Sequence, residues 1–500
     1  MDEAQAHVGW MGKSPSLSSA QFGRLDLAII ATFSLLGGFL IAGSSATFSD
    51  GDTSWHIAAG RWMLANWSVP PIDPFSFSAL GHRWIAHEWL SELLMGAAYD
   101  LGGFPAVGLL SVLSLATTLA IAGIWIRRWA NPAELGLSLA LILLSLTTFV
   151  LARPLIIAWP ILAIWMVVLL REREQGDNPP GWWTVILMIL WVNLHASWII
   201  GVLLAGAFGL EAVIKSRDLR TAGRWLAYGG ALIASTLINP NFTHTLLIPF
   251  QAVGSHSINF VQEFRPTDVS YTPVFEATLL VVLGVAWWRG ARLASIRIVI
   301  MLAMLHLALA HMRHQALFLI VGAFILVPPL TRRWVAGLPI KPGLAGTLQL
   351  GQRGALILLL GGAVSFAAIG VARLAQPTEP LESTVNPVHA FAAIPKALRS
   401  EPVLNFYSLG GPLILRGIRP FIDGRGDVYG EQFLAEYLKI DSGDEAAFSK
   451  ADSKWHFQWT ILSPNQKPLL GLLDRLPQWR RLYADRYVVI HVRSNRPRVP

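Results

Sequence analysis

The chain has 500 residues, of which 53% are hydrophobic and only 14% charged, with 21 tryptophans, no cysteine and a formal net charge of +8. That balance excludes an ordinary water-soluble globular protein, and the absence of cysteine excludes a disulfide framework and thiolate chemistry. The excess positive charge sits in short turns between apolar blocks, where it reads as a topology signal and not as a footprint for nucleic acid.

Residues 1–26 form a mostly polar leader with Lys13 and Arg24, predicted to lie in the cytoplasm. The apolar block from Leu27 to Ala42 then reads as an uncleaved signal anchor. Further blocks run from Val107 to Ile126, Leu135 to Val150, Leu155 to Leu170, Trp225 to Ile238, Pro273 to Trp288 and Gly354 to Ala372. Each approaches or reaches the roughly 20 residues that cross about 30 Å of hydrocarbon as a helix. Two blocks are longer and are broken by polar residues: Trp182 to Leu210, interrupted by Asn193, His195 and Ser197, and Ile298 to Pro329, interrupted by His306, His311, Arg313 and His314. Folding each as a hairpin predicts a polytopic α-helical membrane domain over residues 27–375 with about eleven transmembrane helices.

With that count the basic clusters Arg127-Arg128, Arg171 to Arg173, Lys215 to Arg224, Arg289 to Arg297 and Arg332 to Lys341 fall on the side of the N-terminus, the cytoplasmic side by the positive-inside rule. The opposite side receives the loop 47–104, Arg153-Pro154, Asn193 to Ser197, Asn239 to Asp268, His311 to His314 and everything after residue 373. Internal histidine and asparagine often serve only to bridge spans. Several ionisable groups gathered at one face point further, because each is costly to bury unless paired or set in a wet cavity.

The loop 47–104 is neither a span nor a disordered tract. Asp52 or Thr53 can cap an amphipathic surface helix that carries His56, Ala59, Gly60 and Met63 on one side. Pro70, Pro71 and Pro74 enforce an extended turn around Asp73, and Trp84 to Tyr99 reads as a second helix with Glu88 one turn from Glu92. Asp52 and His56 are placed to share a proton, and Asp52, Asp73 and Glu88 are candidate ligands for a divalent ion such as Mg2+ or Mn2+, although no compact ligand motif demands one. Helix capping for Asp52 and a structural turn for Asp73 are the plainer alternatives.

After residue 375 the composition changes from apolar to mixed, and residues 376–500 are long enough for a small, independently packed α/β domain on the periplasmic side. Strands are expected at Val403 to Tyr407, Leu413 to Leu415, Trp459 to Leu462 and Tyr487 to Val492, with helices at Glu431 to Ile440 and Pro468 to Leu476. The segment PFIDGRGDVYG gathers Asp423, Arg425 and Asp427, either to close over a substrate or as a salt-bridged turn that anchors the tail. No G-x-G-x-x-G or Walker loop is present, so a nucleotide is not an expected ligand.

The stretches GDTSWHIAAGRWML, PPIDPFSF and HRWIAHEWLSELL, with LNFYSLGGPLIL and RPFIDGRGDVYG in the tail, resemble a family of bacterial polytopic membrane proteins. More distantly, the chain resembles the GT-C superfamily of membrane glycosyltransferases, which use lipid-phosphate-linked sugars. The resemblance implies a bacterial inner-membrane enzyme that moves a hexosyl or pentosyl group from a polyprenyl-phosphate donor to a glycan, lipid or protein acceptor, with inversion, in modifying the cell envelope. The superfamily's acid after the first span falls on Asp52, and its later outer-loop acid falls nearest Glu263 or Asp268 in FVQEFRPTD. No WWDYG-like motif is present. Under this reading Asp52 is the base, assisted by His56, Asp73 and Glu88. Arg153, Arg265, Arg313, His195 and His314 supply donors to the phosphate, and Asn193, Glu263, His311, Asp423 and Arg425 complete the substrate-binding set. A lipid or solute transporter or flippase, and a non-catalytic envelope assembly factor, are the alternatives.

Overall fold

A computed structural model describes residues 24–42, 45–147, 149–247, 265–331, the four positions 360, 361, 364 and 368, and 381–494. Its membrane-type part is a helical bundle: α1 (Arg24–Ala42), α2 (Asp52–Asn66), α3 (Trp89–Ile126), α4 (Pro132–Thr147), α5 (Pro154–Gln175), α6 (Thr184–Leu194), α7 (Trp198–Ser216), α8 (Leu219–Ser235), α9 (Pro273–Arg289), α10 (Ser295–Ala310) and α11 (Gln315–Ile325). One large apolar core joins α1 and α3 to α11, with Trp159, Trp165, Trp191 and Phe208 among its fully buried side chains. Small residues let the helices approach closely. A β-carbon on Gly123 of α3 would lie 2.7 Å from Ile30 of α1, and one on Gly37 of α1 would lie 2.8 Å from Leu119.

The expectation of about eleven spans is corrected. Among the described residues three helices are long and apolar enough to cross a membrane: α3, α5 and α7. Leu25–Ile41, Pro132–Thr147, Thr184–Leu194, Ser295–Ala310 and Met312–Ile325 are apolar but shorter. The two blocks read as hairpins do turn at His195 and at His311 to His314, but each contributes an arm of only 11 residues, α6 and α11. At 1.5 Å per residue such an arm is about 16 Å long, roughly half the hydrocarbon thickness. The block from Gly354 to Ala372 lies almost wholly outside the described residues.

The span at Val107 to Ile126 is also continuous with the second helix of the first loop. Together they make α3, bent at Gly102 and Gly103, with Gly103 at φ 65°, a conformation that favours glycine, and Pro105 just beyond. The basic ends of several helices meet at one end of the bundle. Arg128 pairs with Glu174 at 2.7 Å, Arg173 and Arg297 share Glu211 at 3.4 and 3.1 Å, and Arg289 pairs with Glu134 at 3.4 Å.

The tail carries an open four-stranded sheet of order β1 (Val403–Asn405), β2 (Trp459–Leu462), β4 (Val489–Arg493), β3 (Trp479–Ala484). β1 is parallel to β2 with Val403 opposite Trp459, and the other pairings are antiparallel. Leu413 to Leu415, expected as a strand, ends the short helix Gly410–Leu415, and the helix Glu445–Trp455 and the edge strand β3 were not expected.

The expectation of a small periplasmic α/β domain is likewise corrected. The sheet is open, and beside a cluster of the tail's own around Trp459 and Ile490 a second hydrophobic cluster combines Trp55, Ala59, Met63 and Trp84 of the first loop with Leu404, Phe421, Tyr429 and Trp479 of the tail. For the same reason α2 is not a surface helix. Thr53 through Gly60 are all buried, held between α3 and the tail.

Candidate functional site

Two glycines set the geometry. A β-carbon on Gly60 would overlap the carbonyl of Glu92, and one on Gly96 would lie 2.5 Å from the backbone of Arg61 and Gly60, so α2 and α3 cross in backbone contact. One turn before Gly60 stands His56, and one turn before Gly96 stands Glu92. The crossing therefore places the His56 Nδ1 3.2 Å from the Glu92 Oε1, and Glu88, one turn earlier again, presents Oε2 4.0 Å from the His56 Nε2.

The tight α6–α7 turn brings the next partner. The Trp89 indole donates to Asn193 Oδ1 at 2.6 Å and the Ser91 hydroxyl to the Leu194 carbonyl at 2.8 Å. These bonds dock the turn on α3 and set the His195 Nε2 3.2 Å from the Glu88 Oε1. The His195 Nδ1 accepts the Ser197 N–H at 2.9 Å, so the proton of a neutral ring is on Nε2 and is donated to Glu88. His87 Nε2 lies 3.7 Å from Glu88 on another side.

Burial, reinforced by the charge of Arg153 for both and of Arg313 for His195, holds His56 and His195 well below the usual histidine range, so both rings are neutral. Burial likewise pushes the Glu88 carboxyl up, against the opposing pull of His87, Arg313 and Arg153.

His56, Glu88 and Glu92 each offer one ligand atom, and these atoms lie within 4.8 Å of one another. The Glu92 Oε2 is buried without a hydrogen-bond partner, an arrangement that a bound cation would satisfy. The set therefore fits a divalent ion, and one neutral imidazole with two carboxylates suits Mn2+ or Zn2+ better than Mg2+. Of the three ligands expected from the sequence, only Glu88 belongs to this cluster.

Asp52 lies close by, in the first turn of α2. It is not the helix cap: that position is Gly51, with no side-chain cap bond. Thr53 instead donates to the Ala152 carbonyl at 3.0 Å, tying the start of α2 to the turn before α5. That turn is extended at Arg153 because Pro154 follows, and it aims the guanidinium back at the loop. Arg153 Nη2 is 3.1 Å from Asp52 Oδ2, and its Nε pairs with Asp50.

Asp73 is used differently. Its carboxylate accepts the N–H groups of Phe75 and Ser76 at 2.9 and 3.1 Å, the Ser76 hydroxyl, and Arg425 Nη1 at 2.6 Å. Arg425 also grips Asp423 through Nε at 2.9 Å and Nη2 at 2.6 Å, and the Tyr429 hydroxyl donates to the same carboxylate at 2.6 Å. The three charged groups are at most 1% exposed. They form a buried knot between loop and tail, flanked by the Phe75 and Trp84 rings, 5.1 and 4.9 Å from the guanidinium carbon.

The remaining sequence candidates are dispersed. Arg313 lies in the short turn Met312–His314 between α10 and α11, near enough to act on Glu88 and His195. His311 and His314 have ring centroids 5.6 Å apart in the same turn. Arg265 has an exposed side chain, and its carbonyl accepts the Met312 N–H at 3.1 Å. Asn193 donates to the Ile189 and Ile238 carbonyls at 2.7 and 2.9 Å. Glu263 lies outside the described residues.

Sequence reasoning left Glu92, Asp50, His87 and Tyr407 out of the site. Glu92 had a usable signal, since it follows Glu88 by four residues and shares its helix face. Tyr407 had none, because its proximity to Asp52, Asp423 and Arg153 depends on how the tail folds.

No family model matches the chain, and no curated protein matches it in sequence. Solved structures do. ArnT from Cupriavidus metallidurans in the apo state is similar with TM-score 0.52 and 14% identity, over 91% of this chain and 95% of that one. The apo oligosaccharyltransferase of Archaeoglobus fulgidus is similar with TM-score 0.57 and 11% identity, over 89% of this chain and 70% of that one. At these identities the likeness is one of fold alone. The three helices long and apolar enough to cross a bilayer make this a multi-pass membrane protein.

Proposed function

We propose that this chain is a membrane glycosyltransferase that moves a hexosyl or pentosyl group from a polyprenyl phosphate to a hydroxyl acceptor of the cell envelope. The observation that carries the reading is the convergence of Asp52, Arg153, His56, Glu88, Glu92 and His195 beneath the first loop, at the opposite end of the bundle from the basic helix ends. The positive-inside rule then makes the site's face the outer one in a bacterial inner membrane. There a lipid-anchored phosphate at headgroup depth can meet a water-borne or lipid-borne acceptor. The fold likeness supports the same class of chemistry.

In the proposed reaction the acceptor oxygen attacks the anomeric carbon from the side away from the phosphate, and its proton passes to the Asp52 carboxylate. The bond from the anomeric carbon to the phosphate oxygen breaks, polyprenyl phosphate leaves, and the anomeric centre is inverted. Asp52 is the base because its carboxylate is not engaged as a helix cap and is held beside Arg153. Arg313 and Arg153 provide positive charge and N–H donors toward the leaving phosphate, and His195 holds Glu88 in place through its Nε2. His56, Glu88 and Glu92 would hold a divalent ion, which when bound adds positive charge on that side. Asp423, Arg425 and Asp73 keep the tail closed on the loop.

The test is donor choice. Purified protein is given radiolabelled polyprenyl-phosphate hexoses and pentoses, or the matching nucleotide sugars, with a cell-envelope extract as acceptor source. Label is expected to move only from the lipid donors, and equal or faster transfer from nucleotide sugars overturns the proposal.

A further inference from the structure

The tail's backbone packs directly against the start of α2, beside Asp52. A β-carbon on Gly51 would overlap the Ser408 carbonyl, and one on Gly411 would overlap the Gly51 carbonyl, so the start of α2 and the segment 408–411 touch backbone to backbone. On the other side of Asp52 lies Gly424. A β-carbon there would overlap Asp52 Oδ1 and would stand 2.7 Å from Asp52 Cγ and 2.8 Å from the Trp55 Nε1. Gly424 does not adopt a left-handed backbone, so the reason for glycine here is space and not conformation.

We infer that Gly424 is a positioning residue: its bare backbone confines the Asp52 carboxylate to its pair with Arg153. The inference rests on the reading of Asp52 as the base. The loop that carries Gly424 cannot readily retreat. Asn405 binds the Phe421 N–H and the Ile422 carbonyl, each at 2.8 Å, and Tyr407 donates to the Gly424 carbonyl at 3.3 Å. On either side of it Asp423 and Arg425 are fixed in the buried knot. The atom nearest an added methyl is the far end of the Asp52 side chain, which can rotate. A methyl at 424 therefore displaces the carboxylate while the fold persists, and the Asp52–Arg153 pair at 3.1 Å is lost.

The experiment compares Gly424→Ala with Gly426→Ala, a change in the same loop whose nearest neighbour, Leu434 Cδ1, is at an ordinary 3.9 Å. Turnover is read as release of polyprenyl phosphate from the radiolabelled lipid donors, together with the donor concentration at half-saturation. Gly424→Ala is expected to lower turnover on the order of a hundredfold, the cost of misplacing a reacting group by about 1 Å, with half-saturation changed by less than about threefold. Gly426→Ala is expected to turn over as the parent does.

Parent-like turnover by Gly424→Ala, while Asp52→Asn is inactive, overturns the inference and leaves the base assignment standing. Parent-like turnover by Asp52→Asn overturns both. If Gly424→Ala does not fold, the same change is made in an Asp52→Ala background, which lacks the obstructing carboxylate. Restored folding there supports the steric contact, and continued failure overturns it.

Discussion

Replacing Arg425 with methionine tests what holds the tail to the loop. Methionine keeps much of the stem's volume and removes five N–H donors and the charge. Asp73 and Asp423, at 1% and 0% exposure, are then left facing each other without a cation. Breaking a buried ion pair by removing one partner costs about 3–5 kcal/mol, and here two carboxylates lose their partner. Loss of the cation's contact with Phe75 and Trp84 contributes about 1–2 kcal/mol more. The terms share one side chain and do not add simply, so about 4–6 kcal/mol is expected, a large fraction of what stabilises a typical domain. The assay is a thermal melt in detergent with limited proteolysis below the transition. The variant should melt early and become cleavable in the tail where the parent resists. Arg425→Lys, a point charge that cannot grip both carboxylates bidentately, should fall between. If Arg425→Met melts with the parent and resists the protease equally, the knot does not hold loop and tail together.

Two further outcomes are expected. With a chelator present, His56 and His195 should remove stability on acidification, because both stay neutral in the fold while unfolded histidine takes up protons below about 6.5. The buried Glu88 and Glu92 carboxyls, pushed up, act with the opposite sign, so the histidines are read by difference. Between pH 7 and 5.5 the two account for roughly 2–3 kcal/mol, and a His56→Gln, His195→Gln variant should lose correspondingly less stability than the parent over that range. An unchanged profile would contradict the neutral assignment. Mn2+ titrated calorimetrically into chelator-stripped protein should bind at one site. Glu92→Gln should weaken it about tenfold or more and Asp52→Asn should leave it near the parent value, whereas equal binding by Glu92→Gln would remove the ion from the cluster.

Much of this architecture is legible in the sequence, but unevenly. Apolar blocks and basic turns locate α1, α4, α5 and α9 to within a few residues, because burial in an apolar medium needs long uninterrupted runs. Length misleads where a run folds back, as at α6 and α11, since hydropathy does not report where within a run the chain turns. Proline after Arg153 signals a turn, and the structure places one there. The proximity of His56 to Glu92 depends on the Gly60–Gly96 crossing, which no local pattern displays. The knot is less legible still, because Asp73 and Arg425 are 352 residues apart. Strand β3 escaped notice because only Trp479 is buried while Arg480 and Arg481 are exposed, as suits an edge strand. The GGP run starts a helix where the apolar Leu413 to Leu415 had suggested a strand.

The assignment of Asp52 as base is tested most directly by Asp52→Asn, with turnover and affinity for the polyprenyl-phosphate donor measured in nanodiscs on protein shown to melt normally. Asparagine keeps the size and loses the basic oxygen, so turnover should fall by roughly 10²–10⁴ while donor affinity stays within a few-fold of the parent. Arg313→Ala should differ by weakening donor affinity together with turnover, because a phosphate contact exists in both ground and transition states. If the Asp52→Asn protein melts normally and still transfers sugar at near the parent rate, Asp52 is not the base and the proposed mechanism is contradicted.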